Sequence, residues 1–71
     1  MKTQKQQILE YMQIMGEITP LDALQVFGCM RLSARIYDLR RDGHKIKMEM
    51  ASSVNRDGQV VNFARYRLEE E

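Results

Sequence analysis

Arg31-Leu32-Ser33-Ala34-Arg35-Ile36-Tyr37-Asp38-Leu39-Arg40-Arg41-Asp42-Gly43-His44-Lys45-Ile46-Lys47-Met48-Glu49-Met50 is the stretch in which the periodicity of the chain changes. Up to Leu39 the apolar residues Leu32, Ile36 and Leu39 recur at spacings of four and three, the repeat of one helix face. From Ile46 onward the apolar residues Ile46, Met48 and Met50 recur at every second position, as in a strand with one covered side. Between the two lies Gly43, preceded by Arg40 and Arg41, whose positive charges suit the negative end of a helix dipole. The stretch therefore predicts a helix that stops near Asp42-Gly43 and feeds directly into a strand.

Working outward toward the C-terminus, Asn55-Arg56-Asp57-Gly58 is a cluster of turn residues, and Gln59 to Leu68 behind it is rich in β-branched and aromatic side chains. With Ala64, Tyr66 and Leu68 on one face, the two strands read as a hairpin. Toward the N-terminus, only Cys29 and Met30 separate the helix from Gly28, which suits the left-handed end of a preceding helix. That second helix starts at Thr19-Pro20, where a threonine caps free amides and a proline suits the first helical position. Asp22 lies in its first turn, and Ala23, Leu24 and Phe27 are expected to form its buried side. Glu17-Ile18 is long enough only for a bridge pair. Before it, Ile8, Met12 and Met15, with Tyr11 alongside, make the stripe of a first helix from about Thr3 to Met15, ended by Gly16, the methionines serving as adaptable core filler.

The expected fold is thus mainly α with a small β-hairpin (α+β): three helices and a C-terminal two-stranded wing-like hairpin in a single domain over residues 1–71. Its core lies in about 4–68, and 69–71 is an acidic tail read as a solvated end. A chain of 71 residues can support one core at most, because small domains bury only about 60% of their unfolded surface. One cysteine, Cys29, permits no internal disulfide, so the core must hold without a staple, and a reducing, cytoplasmic setting is expected. Cys29 itself reads as a small buried filler in the turn rather than a redox sensor. The N-terminal segment Met1-Lys2-Thr3-Gln4-Lys5 is followed by an apolar stretch broken by Glu10, Gln13 and Glu17, which is neither a signal peptide nor a membrane span. The initial methionine and the absence of a tag are what a complete gene product would show.

Charge is unevenly spread. The formal net charge is +1, but Arg31 to Lys47 holds six cationic side chains against Asp38 and Asp42, a formal +4 with His44 neutral. The flanking segments are net acidic, so the cationic excess coincides with the third helix and the start of the hairpin, a pattern that can mark an anion-binding face. Catalytic and metal chemistry find no foothold: His44 is the single histidine, Cys29 has no base near it in sequence, and no zinc set, Gly-rich phosphate loop or paired carboxylate is present. No cofactor and no enzymatic activity are expected.

The order of helix, short strand, helix, tight turn, helix and hairpin, together with Ile18-Thr19-Pro20-Leu21-Asp22-Ala23-Leu24, Phe27-Gly28, Arg31 to Arg40, Gly43-His44-Lys45-Ile46 and the ending Ala64-Arg65-Tyr66-Arg67-Leu68, resembles the small winged helix-turn-helix domains often encoded by phages and prophages. The resemblance covers about residues 4–68. Such domains place the third helix in the major groove and the hairpin, or wing, at the adjacent backbone. One departure stands out: Ala23 and Gly28 are five apart, where repressor-type motifs have four, so repressor half-site geometry does not transfer.

With Leu32, Ile36 and Leu39 inward, a turn of about 100° per residue puts Ala34, Tyr37 and Arg41 on the opposite face, flanked by Asp38 and Arg31, with Ser33 toward one edge. Arginine can pair with guanine, serine can bond base or phosphate, and alanine can lie against a thymine methyl. The same residues would equally serve solubility; the resemblance favours duplex DNA. Arg40, Lys45 and Lys47 are then candidates for the sugar-phosphate backbone, and Arg56 at the wing tip for a narrow minor groove. Arg35, near the buried stripe, is expected in a structural salt bridge, for example with a carboxylate of a neighbouring helix, in preference to a phosphate contact. Thr3 and Thr19 serve as caps before they serve any phosphate.

The implied function is sequence-selective DNA binding in a bacterial host cell, as a regulator or excision-type accessory factor. The alternative is a protein-binding module built on the same scaffold, with exposed tyrosine and arginine as anchors. One such module buries only about 600–1,000 Å² on DNA, so tight site selection calls for a homo-oligomer, cooperative assembly or a helper protein.

Overall fold

The computed structural model describes residues 2–69; of the expected acidic tail, Glu70 and Glu71 lie outside the described residues, as does Met1. Helices α1 (Gln4–Met15), α2 (Pro20–Phe27) and α3 (Leu32–Arg41) combine with strands β1 (Glu17–Ile18), β2 (Ile46–Val54) and β3 (Val60–Leu68). The fold is mixed α+β, with an antiparallel sheet in the order β1-β3-β2. Here the expected two-stranded hairpin gains a third strand. Glu17 and Ile18 pair with Arg67 and Tyr66, so the short segment between α1 and α2 closes one side of the hairpin onto the helices.

Local signals explain where the first two helices begin. The Thr3 hydroxyl accepts from the Gln6 amide at 3.2 Å while the Gln6 side-chain oxygen accepts from the Thr3 amide at 3.0 Å. Thr19 and Asp22 make the same reciprocal pair at 3.1 Å in each direction, with Pro20 at the first helical position. Caps of this kind contribute about 1 kcal/mol each. Both threonines thus close their own helix starts. At Gly28, a φ of +65° lets the chain leave α2 and enter the turn before α3.

One core holds the helices to the root of the hairpin: Ile8, Met12, Ile18, Ala23, Cys29, Leu32, Ile36, Leu39 and Ile46 are buried, with Leu9, Tyr11, Phe27, Tyr66 and Leu68 packed around them. Tyr11 and Phe27 meet edge to face, their centroids 5.7 Å apart, joining α1 to α2. Cys29 fills the turn between α2 and α3 as a buried free thiol.

Four apolar side chains assigned inward by periodicity are exposed instead: Met15, Leu24, Met48 and Met50. Met15 is the last residue of α1, just before Gly16 turns the chain away, and nothing overlies it. Leu24 sits beside Ala23, which alone is fully buried on α2, and faces an open groove. Met48 and Met50 follow Ile46 on the same face of β2, but strands of nine residues run roughly 30 Å. That outruns the helical body, and the far part of the hairpin projects from it as a wing. The long axis of 40 Å against 25 and 20 Å reflects this projection.

Candidate nucleic-acid interface

α3 presents its two sides as its sequence divides them. Leu32, Ile36 and Leu39 are buried, at 3% exposure or less, whereas Tyr37 is 63% exposed. Arg31 and Ser33 are exposed at its start, Ala34 is half-buried, and Arg41 is exposed at its end. Unlike α1 and α2, this helix has no side-chain cap: Arg31 occupies the N-cap position without closing one. Among the described residues, the amides of Leu32 and Ser33 have no internal acceptor, while those of Ala34 and Arg35 already bond to the Arg31 carbonyl. Unpaired amides at a helix start favour anions.

Side-chain contacts order the cationic face. Asp38, half-buried on α3, lies 3.5 Å from the Arg41 guanidinium and 3.4 Å from that of Arg35, its neighbours at i+3 and i−3. Arg35 thus makes the expected structural ion pair, with a carboxylate of its own helix rather than one of a neighbouring helix. Arg41 also stacks toward Tyr37, 5.8 Å from ring centroid to guanidinium carbon. Each of these exposed contacts contributes little stability on its own. Together they bias Arg41 toward one position beside Tyr37. Asp38, a flank of this face by periodicity alone, pairs with both arginines, and its spacing of three to each is the sequence signal for that role.

At the end of α3 the cations behave differently from one another. Arg40, grouped in sequence with the backbone-facing cations, donates from Nε at 3.1 Å and from a terminal nitrogen at 2.8 Å to the carbonyl of Ile46. Asp42 pairs with Lys5 of α1. The hydrogen bond from the Lys5 ammonium, with Arg41 and His44 adding attraction, holds the Asp42 carboxyl below its ordinary value. Lys45 and Lys47 are exposed at the root of the wing, with Lys47 4.0 Å from Glu49.

The wing is stiffened from within. At its root, Arg65 of β3 lies 2.8 Å from Glu17 of β1, as an ion pair rather than an aligned hydrogen bond, and 3.5 Å from Glu49 of β2. It links all three strands. At its tip, the Asn55 side-chain oxygen accepts from the amides of Asp57 at 3.0 Å and Gln59 at 2.9 Å, and Gly58 takes a φ of +81°. Arg56 is exposed in that turn, without a side-chain partner among the described residues. From Ile46 to the turn the strand runs about 26 Å, so Arg56 is set well apart from the α3 face.

A groove of about 670 Å³ is bounded by the start of α2, the turn with Cys29 and Met30, and Ser53 and Phe63 of the wing. Leu21, Leu24 and Met30 are exposed around it. Among the described residues no cluster of three or more His, Cys, Asp or Glu could hold a metal ion, and no helix is long and apolar enough to cross a membrane.

Compared with known proteins, residues 3–71 match the family model described as "Winged helix-turn-helix domain". No curated protein and no solved structure matches the chain.

Proposed function

Because this chain belongs to the winged helix-turn-helix domain family, we propose that it is a sequence-selective duplex DNA-binding protein and not an enzyme. The observation that carries the reading is the split of α3: Leu32, Ile36 and Leu39 lie in the core while Arg31, Ser33, Tyr37 and Arg41 stand exposed on a helix with unpaired starting amides. In this reading α3 enters the major groove. Arg41, held by Asp38 and Tyr37, and Arg31 address base edges, with Ser33 and Ala34 beside them. Lys45 and Lys47 neutralise phosphates at the wing root, and Arg56 reaches a minor groove farther along the duplex. The resemblance to phage and prophage domains supports a role as a transcriptional regulator or excision-type accessory factor in the bacterial cytoplasm. A homo-oligomer or helper protein would supply the remaining contact area.

Selection from a randomised duplex pool tests this. The expected result is an enriched motif of a few base pairs, contacted in the major groove, with backbone protection extending to one side where the wing lies. Recovery of unenriched sequence after repeated rounds overturns sequence selectivity.

One observation favours a second reading, a protein-binding module: the groove edged by Leu21, Leu24, Met30 and Phe63 offers an apolar surface that duplex DNA would not use. If that reading is right, substitutions such as Leu24→Glu abolish a nuclease-resistant complex with a purified host protein and leave any DNA binding unchanged.

A further inference from the structure

The register of the hairpin decides which way each backbone group of β2 points. Asn55 donates to the Gln59 carbonyl at 2.9 Å at one end, and Glu69 donates to the Lys45 carbonyl at 2.8 Å at the other. With Ile46 opposite Leu68 and Val54 opposite Val60, odd-numbered residues of β2 direct their backbone groups to β3, and even-numbered ones direct theirs to the open edge. The Ile46 carbonyl is therefore one that the sheet leaves unused. It is the carbonyl that takes both Arg40 donors, at 2.8 and 3.1 Å.

This contact joins α3 directly to β2, two elements otherwise linked by the turn and through the core, while β1 and Arg65 hold the hairpin from the side of α1 and α2. Between the last residue of α3 and the first of β2 the chain passes through Asp42-Gly43-His44-Lys45, with Gly43 at a φ of +103°. Beyond the buried Ile46 side chain, β2 leaves the helical body. Two N–H groups of one rigid guanidinium on one oxygen restrain direction as well as distance, which a lysine ammonium cannot do equally.

We propose that Arg40 is a positioning residue: it fixes the angle between α3 and the wing, and the wing's cations act on a duplex through that angle rather than beside a phosphate contact of Arg40 itself. The second half rests on the DNA-binding reading; the first does not. Arg40 thus belongs to the geometry of the interface, while Lys45, Lys47 and Arg56 belong to its contact surface.

The test has a DNA-free arm and a DNA arm, each using the full chain. In the free protein, the Ile46 carbonyl carbon shift and residual dipolar couplings of α3 and β2–β3 are compared for wild type, Arg40→Met and Arg40→Lys. The proposal expects Arg40→Met to keep its core amide protection yet shift the Ile46 carbonyl resonance and lose a single wing orientation, with Arg40→Lys restoring it in part. An unchanged wing orientation in Arg40→Met overturns it; should Arg40→Met fail to fold, the same comparison in Arg40→Lys decides. On a selected duplex, Lys47→Ala is expected to weaken binding several-fold in wild type but within about twofold, the limit of independence, in Arg40→Met. Fully additive losses, each lowering the salt slope by about 1, would instead make Arg40 a phosphate ligand and overturn the proposal. Failure of DNA binding altogether leaves the first arm to decide.

Discussion

The guanidinium of Arg41 lies over the ring of Tyr37 one turn before it, 5.8 Å from its centroid, on the solvent side of α3. Asp38 lies 3.5 Å from the same guanidinium. An arginine held this way loses less freedom when it meets a base than one moving freely. Arg41→Ala is therefore expected to cost about 1–3 kcal/mol on the preferred duplex and to relax selection at one base position. Competition binding with single-base variants of that duplex checks it.

Asp38→Asn leaves the arginines in place but removes the charge that orients them. Weaker discrimination between preferred and altered duplexes is expected, with non-specific affinity unchanged or raised, because one acidic repulsion toward phosphate disappears. Parallel titrations on both duplexes separate the two effects.

Lys5 and Asp42 fasten α1 to the end of α3. Because the pair lowers the folded-state pKa of Asp42, its contribution is present above the ordinary carboxylate value. It is lost as pH falls through the depressed value. Titration of Asp42 followed by NMR should show a midpoint in Lys5→Met raised from that of wild type toward the ordinary carboxylate value, with Arg41 and His44 still holding it down in part.

Ile36 is 1% exposed at the centre of the core. Ile36→Ala is expected to destabilise by about 2–5 kcal/mol, a large part of the total for so small a domain. Thr19→Ala, which opens only the α2 cap, is expected to cost about 1 kcal/mol. Urea unfolding with both variants checks the ranking.

Much of this architecture was legible before any coordinates. The spacing of Leu32, Ile36 and Leu39, the start at Thr19-Pro20, the stop at Gly28 and the turn at Asn55 are local signals, and each element stands where they put it. Periodicity tells which way a side chain points but not whether another element covers it, which is why Met15, Leu24, Met48 and Met50 were misplaced. A two-residue strand has no period at all, and the partners of Glu17 and Ile18 lie at the other end of the chain. The contact of Arg40 with the Ile46 carbonyl was hidden for a related reason: a side chain bonding to backbone across a turn leaves no mark in residue spacing. The exposed face of α3 was readable; the pairing of its charges required the geometry.

The most direct test of the central claim is a titration of the protein against its selected duplex and a scrambled one across a range of salt concentrations. DNA binding through α3 and the wing predicts that log K falls linearly with log salt, with the selected duplex bound more tightly at every concentration. Absence of binding to either duplex at about 50 mM salt, where phosphate neutralisation is strong, would contradict it.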